Sequence, residues 1–218
     1  MRSIQKFFIL LLVVSMLLSL AACSKAEKLV DAVTAKDFSL GTVSGNHYEN
    51  DFVGVQCDLA DSWTIHGEDK LAELSGLVAN SFSGEEAKKL VEENNSVFLF
   101  YAEEAETFHS INIVVTNTES YSLAMLEHKE FVDQMVAQMP ALLAQSYMED
   151  ITCQAETFSF CGEEVYGIGI SATANGIPIY ERQVVILEGT YSITLTACTY
   201  FEDTTADLLG FFSAFEGQ

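Results

Sequence analysis

The sequence predicts an α+β fold, an antiparallel β-sheet flanked by helices. Three observations carry this. Four β-rich runs follow one another between residues 151 and 200 with links of only a few residues, too short for the crossovers that parallel strands require. A long stretch at 122–147 repeats its apolar residues at helical spacing. The order of elements, with runs of strands broken by helices, does not alternate as βαβ winding demands.

Residues 1–22 read as a secretory signal. Arg2 and Lys6 give a positive start, and Phe7 to Leu20 form an apolar run interrupted only by Ser15 and Ser19. Such a segment is removed on export and takes no part in the fold. The apolar run is also shorter than the roughly 20 residues a spanning helix needs. The tetrapeptide Leu20-Ala21-Ala22-Cys23 resembles the lipobox of bacterial lipoproteins. That resemblance implies a diacylglyceryl group on the Cys23 sulfur, cleavage before it, and Cys23 as the new N-terminus. Two acyl chains suffice for durable anchoring, since each buried methylene contributes about 0.8 kcal/mol. The alternative is an ordinary signal peptide ending in an incidental cysteine. Residues 23–45, with Gly41, Ser44 and Gly45, read as the lipidated N-terminus and a flexible tether. Residues 46–218 then form a single α+β domain, long enough for a full hydrophobic core.

Within that domain, Tyr48 to Leu59 alternates around Gly54 and predicts a first strand ending in the turn Asp61-Ser62-Trp63. Asp69 to Leu77 predicts a short helix. Ser83 and Glu86 have capping-box spacing and open a second helix to about Asn94. Val97–Glu103 and Phe108–Asn117 are Val-, Ile- and Phe-rich strands. Ser122 to Tyr147 predicts the longest helix, its buried face carrying Leu123, Leu126, Val132, Met135, Val136, Met139, Leu142, Leu143 and Tyr147. Pro140 should kink or divide it. Ile151–Phe160, Val165–Ala174, Ile177–Leu187 and Thr190–Tyr200 form a meander, with Asn175-Gly176 as its strongest hairpin signal. Asp203 is expected to cap a last helix, Thr204 to Phe215.

Charge narrows the function. The chain has 10 Lys+Arg against 32 Asp+Glu. Removing residues 1–22 takes away Arg2 and Lys6 and no acid, leaving 8 cations and a formal charge of −24. The main domain keeps only Lys70, Lys88, Lys89, Lys129 and Arg182. Such a surface repels nucleic acid, whose binding requires clustered Lys and Arg, and it favours cationic partners. Cys57, Cys153, Cys161 and Cys198 remain after lipidation of Cys23. An exported chain permits two disulfides among them, but Cys57, Cys153 and Cys198 lie in apolar runs and read as free, buried thiols.

The stretch Tyr48-Glu49-Asn50-Asp51-Phe52-Val53-Gly54-Val55, with Asp61-Ser62-Trp63 after it, is similar to the opening of Mog1/PsbP-like domains. A long helix, a meander and a terminal helix follow in the same order, so the resemblance covers about residues 46–217. It implies an α/β/α sandwich and a role as an assembly or accessory factor that binds partner proteins. It brings no catalytic residues, and it makes Tyr48, Gly54 and Trp63 structural. The proline often found before the tryptophan is missing.

No motif points to catalysis. Gly169-Ile170-Ser171-Ala172-Thr173 lies within a strand, not at a nucleophile elbow. Phosphate loops and dinucleotide fingerprints are absent, and no cofactor is implied. His47, His66, His109 and His128 read as turn-edge residues, although His66 and His109 could meet beside Glu68 or Glu106 for acid–base work. The acidic turns Glu103-Glu104-Ala105-Glu106 and Glu202-Asp203 lack a calcium-loop pattern. The sequence therefore reads as an extracytoplasmic, membrane-anchored lipoprotein without enzymatic activity, binding an envelope protein or a small ligand. The alternative is a surface hydrolase whose residues converge only in three dimensions.

Overall fold

Turn chemistry and alternation dictate the largest part of the fold. In chain order the strands are β1 (Thr42–Ser44), β2 (His47–Asn50), β3 (Val55–Asp58), β4 (Trp63–Ile65), β5 (Ser96–Glu104), β6 (Ser110–Asn117), β7 (Glu149–Phe160), β8 (Glu163–Ala174), β9 (Ile177–Glu188), β10 (Tyr191–Tyr200) and β11 (Phe212–Ala214). The helices are α1 (Glu68–Leu74), α2 (Gly84–Glu92), α3 (His128–Gln145) and α4 (Thr205–Leu209). The computed structural model describes residues 38–76, 83–93, 96–118 and 126–215. Cys23, the signal segment, Leu123 and Asn94 lie outside them.

Strands β7 to β10 form the expected meander. Cys161-Gly162 and Asn175-Gly176 are its first two tips, and all four residues have positive φ, the backbone that matches the twist of a two-residue hairpin. The meander continues through β6 and β5 to β4. The result is a seven-stranded antiparallel sheet of order β4-β5-β6-β10-β9-β8-β7. A second sheet, β1-β2-β3-β11, is smaller and also antiparallel.

Period-two alternation gives the large sheet two apolar faces. Phe131, Val132, Met135, Met139 and Leu143 of α3 bury against Ile168, Ile170, Ala172 and Val185 on one of them. The small sheet packs on the other. Tyr48 stacks on Phe100 at 4.4 Å, Phe52 meets Tyr191 edge-on at 5.7 Å, and Phe212 lies against Phe160. Helix α4 sits beside it over β10 and β9, while α1 and α2 pack at the β5 end. The α+β class follows the expectation, with a second sheet providing most of the layer opposite α3.

Several boundaries differ from the sequence reading for local reasons. The single first strand is two, because the Gly54 amide donates to the Asn50 carbonyl (2.8 Å), the Val53 amide donates to Asn50 Oδ1 (3.1 Å), and Gly54 takes φ 80°. Residues 42–44, placed in the tether, instead pair with β2 around Gly45. Phe38 and Leu40 pack on the core as well. Trp63 opens the short strand β4 and meets Phe211 edge-on at 5.6 Å.

The last helix stops at Leu209. After Gly210, Phe212–Ala214 pairs with β3, a long-range pairing invisible to local periodicity. Helix α3 is not divided at Pro140: that residue is exposed, and the apolar stripe on either side of it holds both halves to the sheet. Tyr147, expected on the buried face, follows the helix at φ 62° and is 83% exposed. The capping box at Ser83 forms, with its Oγ accepting from the Glu86 amide.

A cleft around Arg182 and a buried polar row on the opposite face

The one arginine of the domain organises the candidate site. Arg182 lies in the middle of β9 and points to the face that carries the small sheet, next to β8 positions Gly167 and Gly169. A Cβ on Gly169 would stand 2.4 Å from Glu156 Oε1. The missing side chain therefore lets Glu156 of β7 reach across β8. Arg182 Nε donates to Glu156 Oε1 at 3.2 Å, and its Nη2 lies 3.7 Å from Asp203 Oδ2. The Phe158 ring sits 5.9 Å from the guanidinium carbon, near the limit of a cation–π contact. Asp203 has a second task, for its Oδ1 accepts from the amide and hydroxyl of Thr205 at the start of α4.

Two hollows meet at this arginine. A polar one of about 250 Å³ is lined by Thr152, Gln154, Glu156, Ser171, Tyr180 and Asp203. An apolar one of about 280 Å³ is lined by Phe158, Phe160, Cys161, Ala206, Leu209 and Phe212. One guanidinium between two carboxylates leaves the cleft net negative. Burial pushes the Cys161 thiol up to about 11, so it stays protonated at neutral pH and is a poor nucleophile. The cleft can hold a ligand through hydroxyl, amide and carboxylate groups, and its lining supplies no histidine to move a proton.

The sheet's other face carries a polar stripe. Asn112, Thr196 and Gln183 are register partners on β6, β10 and β9 and are all buried. Among the described residues, Asn112 Oδ1, Thr196 Oγ1 and Gln183 Oε1 find no hydrogen-bond partner. The next row holds Ser110, Cys198 and Glu181. Glu181 accepts from Gln183 Nε2 at 3.1 Å, and burial pushes its carboxyl up to about 7. Arg182, adjacent in sequence, cannot help, because alternation sends it to the opposite face.

His47, His66 and His128 each place a ring nitrogen within 3.0 Å of an oxygen. His66 Nε2 lies 3.0 Å from Glu103 Oε1, its ring stacks on Tyr101, and the Tyr101 hydroxyl donates to Glu103 Oε2. His66, and after it Tyr101, hold Glu103 below the usual carboxylate range. The pairing of β4 with β5 thus gives His66 a carboxylate, but it is Glu103 and not Glu68 or Glu106. His109 sits instead beside Glu104, which accepts from Ser62 and Thr107. His47 binds Asp58 at 2.7 Å, and its pKa is raised by that carboxylate. His128 Nε2 donates to the Val185 carbonyl at 2.8 Å and pins the start of α3 to β9.

Among the described residues, the four cysteines are free, no cluster of His, Cys, Asp or Glu could hold a metal ion, and no helix is long and apolar enough to cross a membrane. Sequence reasoning passed over Arg182. Two signals pointed to it: it is the domain's one arginine, and Gly167 and Gly169 interrupt the neighbouring strand, as glycines do where another group approaches closely.

No family model and no curated protein matches this chain. Among solved structures it is similar to LpqN of Mycobacterium tuberculosis, a protein involved in cell envelope biogenesis. The TM-score is 0.40 at 10% identity, over 74% of this chain and 83% of that one.

Proposed function

We propose that this chain is an exported lipoprotein, anchored through Cys23, whose domain is a non-enzymatic binding module on the extracytoplasmic side of the membrane. The observation that carries the reading is the leader itself: a cationic start, an apolar run and Leu20-Ala21-Ala22-Cys23. The resemblance of residues 46–217 to Mog1/PsbP-like domains supports an accessory role. So does the cleft around Arg182, which offers both polar and apolar walls to a ligand. The His66–Glu103 pair is the feature a hydrolase would use. Its imidazole faces Glu103 and stacks on the Tyr101 ring, and the nearby thiol of Cys198 is pushed far up by burial and so is a poor nucleophile.

Metabolic labelling with a radioactive fatty acid tests the anchor. Label should enter the mature protein and disappear with Cys23→Ser, which should also leave the signal uncleaved at that bond. A mature protein that takes up no label, or one processed and retained identically after the substitution, would refute the reading.

A further inference from the structure

We infer that the free edge of β7 is a docking site for an extended, basic segment of another polypeptide, which adds to the seven-stranded sheet as an eighth strand. The inference rests on the binding-module reading and gives it a partner of stated chemistry.

Strand β7 ends the sheet; among the described residues β8 is its one strand partner, while α3 packs against its face. From Thr152 to Phe160 it pairs residue for residue with β8 without a bulge, a straight edge of about 30 Å at the usual rise per residue. Half of the backbone N–H and C=O groups of such a strand point outward. Among the described residues, no backbone hydrogen bond beyond the β8 ladder is made by this stretch. Proteins normally blunt so long an edge with lysine, proline, a bulge or a very short strand. The opposite edge, β4, follows the rule with three residues. The β7 edge is more weakly protected: residues 152–160 contain no lysine and no proline, the irregularity lies at one end, between Glu149 and Thr152, and their one charge, Glu156, points inward and is paired with Arg182.

Charge selects the occupant. A second copy would bring another chain of −24 and set Glu149, Asp150, Glu163 and Glu164 against their like. A basic strand meets those same carboxylates favourably. Its backbone would supply affinity, and alternate side chains would lie along Gln154 and Glu156 at the rim of the cleft, where specificity is read.

The test uses the mature, full-length protein in detergent and a display library of random twelve-residue peptides. Enriched peptides should alternate β-branched or aromatic residues with Lys or Arg. On binding, amides of residues 152–160 should gain at least about tenfold hydrogen-exchange protection. N-methylation along one edge of the peptide should weaken binding by about tenfold or more, from the loss of two or three hydrogen bonds. Methylation along the other edge should leave binding unchanged, because only one edge of an added strand pairs. Four results would each overturn the inference: no enrichment, enriched peptides that are acidic, indifference to N-methylation on both edges, or a dimer whose β7 amides are protected without peptide. None of these bears on lipid attachment, so failure here is distinct from failure of the anchor reading.

Discussion

Glu181 offers a measurable account of what a carboxylate costs on a buried sheet face. It lies on β9 between Cys198 and Ile170 in register, and among the described residues its carboxylate accepts from Gln183 Nε2. Burial raises its carboxyl from 4.5 to about 7. A group whose folded pKa lies above its unfolded value binds protons better in the folded state, so stability falls as pH rises. For this acid the penalty begins near pH 4.5, grows through the window up to 7, and is constant beyond it. It amounts to about 1.4 kcal/mol at pH 5.5 and about 3 kcal/mol by pH 8. Because the residue keeps part of its surface open, the larger figure is an upper bound.

Glu181→Gln removes the charge while keeping an oxygen to accept from Gln183. Urea unfolding of both proteins from pH 4 to 9 should therefore give curves that coincide at pH 4 and separate steadily above it, the variant reaching about 2–3 kcal/mol greater stability at pH 8. Glu163→Gln, which removes an equal charge from an exposed position, should stay within about 0.5 kcal/mol of the parent throughout. A difference for Glu181→Gln that does not change with pH, or one that shrinks as pH rises, would refute the argument.

Other consequences can be checked on the same protein. Gly167→Ala would place a Cβ 2.4 Å from the Gln183 carbonyl, backbone that cannot yield, and should cost more than about 2 kcal/mol in urea melts. The nearest atoms that Gly169→Ala meets belong to the carboxylate end of the Glu156 side chain. It should cost about 1 kcal/mol or less while breaking the Arg182 pair, which a crystal structure would show. Tyr48 is 1% exposed, donates to the Leu40 carbonyl and accepts from Asn50. Tyr48→Phe should lower stability by about 1 kcal/mol and Tyr48→Ala by about 3–5 kcal/mol, read from thermal unfolding. His66→Ala should let Glu103 titrate at higher pH, seen in the carboxyl carbon resonance; an unmoved titration would show that the 3.0 Å approach has no electrostatic weight.

Which parts of this molecule were legible in its sequence follows from the range of the forces involved. Period-two alternation, Asn175-Gly176, the Ser83 cap and the α3 stripe are set by neighbours within a few residues, and they gave four strands, two helices and the antiparallel class. The leader gave the expected anchor at Cys23. Pairings across long separations left no local mark: the return of Phe212–Ala214 to β3, the start of the small sheet at Thr42, and the position of β4 beside β5. The chemistry of the cleft is likewise tertiary. Glu156, Arg182 and Asp203 are ordinary surface letters until three elements bring them together across a strand that lacks side chains. The same alternation that separates Arg182 from Glu181 decides that one meets two carboxylates while the other, on the opposite face, has its carboxyl pushed towards the neutral form by burial. Sequence fixes which groups each strand presents; only packing determines which of them water can still reach.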